Sequence, residues 1–149
     1  MAMMSKLQAA YLAGLIDGEG YIGILRTQKN DKAHWTYLHE HAYCPVLKIA
    51  MTDRSIIEWL YSSFGGTFEI RRARENARES YGWTCRKALV GKFLRYLYPY
   101  LRVKRKQAEI IFRYPQISPG TKISEDVYGK RGELYLAIRA LNKVGTVRD

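Results

Sequence analysis

Apolar positions recur along the chain with two alternating periods, and the changes of period mark the elements. Ser5 to Asp17 contains no proline and reads as a helix. Ser5 and Gln8 are spaced as a capping box at its start, and Gly18, Gly20 and Gly23 end it. Tyr21–Gln28 then alternates as a strand, with Ile22 and Ile24 on one face and Tyr21, Gly23, Leu25 and Thr27 on the other. A polar stretch, Lys29–His41, separates it from a second strand, Tyr43–Met51, with Leu47, Ile49 and Met51 inward and Val46, Lys48 and Ala50 outward. Ser55 and Glu58 are spaced as a second capping box, opening a helix through Ile56, Ile57, Leu60 and Phe64 that Gly65–Gly66 closes. Thr67–Arg72 and Tyr81–Lys87 read as a hairpin, and Leu89–Leu101 as a helix with Pro99 near its end. A further helix, Lys104–Tyr114, stops at Pro115. After the loop Gln116–Gly120, a last one carries Leu134, Ile138 and Leu141 and closes at Gly145.

Paired strands separated by helices, in the order α-β-β-α-β-β-α-α-α, indicate an α+β fold with a four-stranded antiparallel sheet. The 149 residues are expected to form a single domain, 1–149, with neither an internal repeat nor a linker. No apolar run reaches the roughly 20 residues of a membrane span. The apolar stretch Ala9–Asp17 lacks a basic leader and runs into acids, so it does not read as a secretion signal.

Charge adds the first functional hint. Twenty-five Lys and Arg stand against 14 Asp and Glu, a net charge of +11. The excess is concentrated: Gly66–Lys106 holds 12 basic and 3 acidic residues. Such a field favours a polyanionic partner and gives no reason to expect a small-molecule substrate. Cys44 and Cys85 are far apart and have no metal-ligand spacing, which fits a reducing, intracellular setting. His34, His39 and His41 are expected as solvated loop residues.

The most specific string is Leu12-Ala13-Gly14-Leu15-Ile16-Asp17-Gly18-Glu19-Gly20. Gly14 and Gly18 lie four apart, making a smooth stripe along which a second helix can approach. Asp17 and Glu19 fall at the helix C-terminus, where the macrodipole disfavours negative charge, so they call for compensation. A bound divalent cation would supply it; the alternative is that Asp17 bonds a local backbone group and Glu19 is a solvated surface acid.

This string resembles the signature of the LAGLIDADG homing endonucleases at seven of nine positions, with Gly18 for Ala and Glu19 for Asp as the differences. Pro99-Tyr100-Leu101-Arg102-Val103-Lys104-Arg105-Lys106-Gln107 is similar to the family's PYL..K..Q segment, and Met51-Thr52-Asp53 to its polar site at the end of the second strand. The element order also agrees over about Leu7–Ile111, while the segment from Pro115 onward lies outside the resemblance.

The resemblance implies a Mg²⁺-dependent DNA endonuclease, free-standing and intron-encoded, that cuts both strands of a long, near-palindromic target. A single motif per chain implies a homodimer joined through Leu12, Ala13, Gly14, Asp17 and Gly18. Glu19 and the carbonyl of Gly18 would hold the metal, Asp53 would orient water, and Lys104 would stabilise developing charge. By alternation, Thr27, Lys48, Glu69, Arg71, Thr84 and Arg86 face double-stranded DNA, with Arg72 and Arg74 at a strand end and Lys29 and Lys32 in the long loop. The register of Tyr81–Lys87 is open, because Trp83 and Cys85 suit either face. An RNA maturase and a non-catalytic DNA-binding regulator are the alternatives that the same scaffold allows.

Overall fold

A computed structural model describes residues 4–28, 39–75 and 78–144. Lys29, Lys32, His34 and the expected closing Gly145 lie outside them. The elements are α1 (Lys6–Glu19), β1 (Gly20–Gln28), β2 (His41–Met51), α2 (Arg54–Phe64), β3 (Thr67–Arg71), β4 (Ser80–Arg86), α3 (Ala88–Leu97), a 3₁₀ turn (Tyr98–Tyr100), α4 (Arg105–Arg113) and α5 (Glu125–Val144). The fold is α+β, with the expected element order.

The capping box of α1 forms as its spacing predicts: the Gln8 N–H donates to Ser5 Oγ at 3.1 Å and the Ser5 N–H to Gln8 Oε1 at 3.0 Å. The helix runs two residues past Asp17 and passes directly into β1. Gly20 makes this possible, because a Cβ there would stand 2.8 Å from Ile16 Cα while its N–H bonds the Ile16 carbonyl. At α2 the expected Ser55–Glu58 box is absent. Asp53 is the N-cap, accepting from the Ile56 N–H at 3.2 Å and the Ser55 hydroxyl at 2.6 Å, while Glu58 pairs with Arg54. Helix α3 stops at Leu97 rather than Leu101, and the turn containing Pro99 tightens to 3₁₀.

The sheet order is β1-β2-β4-β3, antiparallel throughout. Cross-strand partners share a face, so the register separates two sets of side chains. Ile22, Ile24, Leu47, Ile49, Trp83 and Cys85 point inward and are buried among the helices. Trp83 settles the register of β4: it has no exposed surface, and its indole N–H donates to the Gly65 carbonyl at 2.7 Å. Val46 points outward yet is fully buried, with the Tyr21 ring folded over Gly23 directly opposite it.

The segment beyond Pro115 belongs to the core. Leu134 and Ile138 of α5 are buried, Asn142 donates to the Ile22 carbonyl of edge strand β1 at 3.0 Å, and Arg26 stacks on Tyr135. His39 is not solvated as expected. It stacks on Tyr128, with ring centroids 4.2 Å apart and planes 9° from parallel. Among the described residues, no helix is long and apolar enough to cross a membrane.

Candidate functional site

Helix α1 ends on Asp17, Gly18 and Glu19, and what each acid does there differs. The Asp17 carboxylate accepts three backbone N–H groups: Arg102 at 2.8 Å, Val103 at 3.2 Å and Lys104 at 3.0 Å. Lys104 is the N-cap position of α4, and its own side chain makes no capping bond. Asp17 therefore caps α4 from the other end of the sequence, bringing negative charge to the positive pole of that helix. The Lys104 ammonium in turn donates to the Asp17 carbonyl at 3.0 Å, which sets a cation on the last turn of α1. Both ends gain: the acid at the helix C-terminus is met by three N–H donors from one segment, and the same segment's ammonium meets the helix carbonyl.

Glu19 is treated otherwise. It is exposed and makes no hydrogen bond or ion pair among the described residues. An unengaged carboxylate at the negative pole of a helix is a hard oxygen donor in a favourable field for a divalent cation. No group of three or more acidic, His or Cys side chains is gathered among the described residues, so one protomer offers a partial ligand set. That fits an ion held by one or two carboxylates together with phosphate oxygens.

Glu19 and Lys104 are thus brought to the same helix end. Asp53 follows the end of β2, whose Ile49 pairs with Gly20 at the start of β1. Its carboxylate caps α2, and the Ser55 hydroxyl, followed by the Ile56 N–H, holds its pKa below the usual carboxylate range. Capping α2 is thus the role in which the structure shows Asp53. On the outer face, β2 ends on Ala50, whose methyl has no donor to offer.

Thr27, Lys48, Glu69, Arg71, Thr84 and Arg86 all fall on the outward face of the sheet by register. Arg72 and Arg74 follow β3 and are exposed. The Thr27 hydroxyl donates weakly to the Ala42 carbonyl at 3.4 Å.

The free face of α1 also needs correction. Leu12 and Ala13 have no exposed surface and pack in the protomer's own core, so neither can meet a twin helix. The outward row is Leu7, Ala10, Tyr11, Gly14 and Gly18, all exposed. A Cβ on Gly14 or Gly18 would meet nothing within 4 Å. Nothing inside the protomer requires glycine at either position, although each weakens a helix by about 1 kcal/mol relative to alanine.

A sequence model described as LAGLIDADG endonuclease matches residues 12–114, from the α1 motif to the end of α4. The chain belongs to the LAGLIDADG endonuclease family. No curated protein matches it in sequence. Among solved structures, this LAGLIDADG endonuclease is similar to the homing endonuclease I-CvuI, crystallised with its target in the presence of calcium. The TM-score is 0.73 at 24% identity, covering 91% of this chain and 82% of that one. The archaeal intron-encoded homing endonuclease I-Vdi141I, complexed with DNA, matches with a TM-score of 0.65 at 16% identity, covering 91% and 84%. I-TnaI matches with 0.60 at 16% identity, covering 97% and 96%. At such identities these structures speak for the fold. Cleavage by LAGLIDADG endonucleases depends on a divalent metal, and the carboxylate left open at the end of α1 suits that requirement.

Proposed function

We propose that this LAGLIDADG endonuclease acts as a homodimer that cuts both strands of a long, near-palindromic DNA target, with Mg²⁺ as the working ion. The observation that carries the reading is the end of α1, where Lys104 is fastened to the Asp17 carbonyl beside an unengaged Glu19. Two such helix ends, paired along Leu7, Ala10, Tyr11, Gly14 and Gly18, would set two carboxylates side by side at a two-fold axis, one for each strand.

Hydrolysis of a phosphodiester needs an activated water, neutralisation of charge at phosphorus and help for the leaving oxygen. A bound divalent cation supplies the first two by acidifying water and polarising the phosphoryl group. Glu19 would hold the ion, with the Gly18 carbonyl as a second oxygen. Lys104 would place its ammonium toward the negative charge that develops in the transition state. Asp17 acts through Lys104, holding both its backbone and its side chain. The outward face of the sheet would lie in the major groove, where Lys48, Arg71, Thr84 and Arg86 reach bases and phosphates.

The test is cleavage of DNA carrying the intron-less insertion locus, with Mg²⁺, by the wild-type chain and by Glu19→Gln. The expected result is double-strand cutting that falls by at least about a hundredfold in the variant while DNA binding persists. Cutting at the wild-type rate by Glu19→Gln would remove the carboxylate from the mechanism.

A further inference from the structure

At the opposite end of β1 and β2 from Glu19, the structure encloses a second polar feature that the cleavage site does not use. A cavity of about 310 Å³ lies between the start of β2, the β4–α3 junction and α5. His39, His41, Tyr43, Lys87, Tyr128 and Arg131 line it, and among the described residues no Asp or Glu does. Arg131 is only 9% exposed. Its hydrogen-bond acceptor among the described residues is the Pro115 carbonyl, which receives Nε at 3.3 Å and Nη2 at 2.9 Å, and its guanidinium lies over the Tyr114 ring at 4.8 Å. No carboxylate pairs with it among the described residues. A carbonyl and a ring face offset only part of what it costs to bury a cation.

Two further features converge on the same space. His41 Nδ1 is buried without a hydrogen-bond partner, an uncommon state for a native polar atom. Lys87 has φ 60°, the one positive φ outside glycine among the described residues, and such strain gathers where a side chain must be aimed. A neighbouring hollow shares Tyr43, Lys87 and Arg131 and likewise has no acidic side chain among its described lining residues.

We propose that this cavity is an anion site that takes a phosphate group, with Arg131 and Lys87 supplying charge-assisted donors. The phosphate has two possible sources. One is a free phosphoryl compound. The other is the backbone of DNA lying on the sheet, since Arg86 and Ala42, on the outward face, adjoin Lys87 and His41 in sequence.

Inorganic phosphate, titrated into the full-length protein against sodium chloride of equal ionic strength, should raise the melting temperature and saturate one site in calorimetry. Lys87→Gln and Arg131→Gln should each weaken that binding about tenfold, the loss expected for one charge-assisted hydrogen bond. Should Arg131→Gln fail to fold, Lys87→Gln carries the test. If the phosphate comes from DNA, inorganic phosphate competes with duplex beyond its ionic strength, and Lys87→Gln lowers the log–log salt slope of DNA binding by about 0.9. If it is free phosphate, binding to the wild type is seen and DNA affinity is unaffected. The proposal is overturned if the wild type neither binds nor is stabilised by phosphate and Lys87→Gln leaves the salt slope unchanged. Undiminished phosphate binding in Lys87→Gln also overturns it.

Discussion

Single side chains divide between those the chain commits internally and those it leaves free. Asp17 and Glu19 are two positions apart on one helix end, yet one is enclosed by donors and the other is open. The motif spacing made the acids visible, but not this division, because Asp17's partners lie 85 to 87 residues along the chain. Asp53 shows the reverse. A polar residue after a strand suits a site or a helix cap equally well, and geometry chose the cap. Its carboxyl is held below the usual range, so its contribution to α2 is present above about pH 4 and is lost as the pH falls through the lowered value. Asp53→Ala should therefore flatten the acid limb of a stability–pH curve measured by urea titration. At the other limit, burial pushes the Cys85 thiol up to about 12, and burial also pushes the Tyr114 phenol up to about 12. Both groups ionise earlier in the unfolded chain, so stability is intact below about pH 9 and falls as the pH climbs toward 12. In native protein at pH 8, a thiol reagent should modify half-buried Cys44 and spare Cys85. Equal labelling of the two would contradict the packing around Trp83.

Elements were the most legible level, since period and punctuation sufficed for nine of them in order. Ends were less so, because caps depend on which neighbour arrives. Helix α2 begins at Arg54 under Asp53, and α4 takes its cap from α1. The α1–α4 link makes a prediction at this scale. Asp17→Ala leaves three N–H groups without their acceptor and should destabilise the fold by about 1–3 kcal/mol, read as a lower urea midpoint. Its cleavage rate should fall further than the unfolded fraction explains, because the Lys104 backbone loses its mooring and only the Asp17 carbonyl still holds the ammonium. Asp17→Asn keeps an acceptor oxygen and should recover part of both losses. A stability loss with normal cleavage by the folded fraction would separate Asp17 from the site. The passage from α1 to β1 is equally constrained: Gly20→Ala drives a methyl into the Ile16 backbone and should destabilise by about 1–3 kcal/mol.

At the scale of the whole molecule, the described residues leave exposed the row on α1 and much of the outward face of the sheet. The row includes Leu7 at 86% exposure and half-exposed Tyr11 beside the two open glycines. Gly14→Leu should leave the protomer's melting temperature unchanged or higher while abolishing pairing in sedimentation equilibrium, since the position is open within the chain. A dimer of undiminished affinity would put the interface elsewhere. Local information, carried by period, glycine and cap spacing and net charge, was enough for the α+β order, the α1 motif, the alternation that puts Lys48, Arg71 and Arg86 on one face, and the polyanionic character of the partner. Such features act over a few residues, or as a sum over all of them, so they survive without knowledge of the fold. Only the tertiary structure decided that Leu12 and Ala13 turn inward, that Asp53 caps while Asp17 moors Lys104, and that Arg131 is buried with no counter-charge among the described residues. Each of these depends on which distant segment arrives against a given side chain, and that is determined by packing.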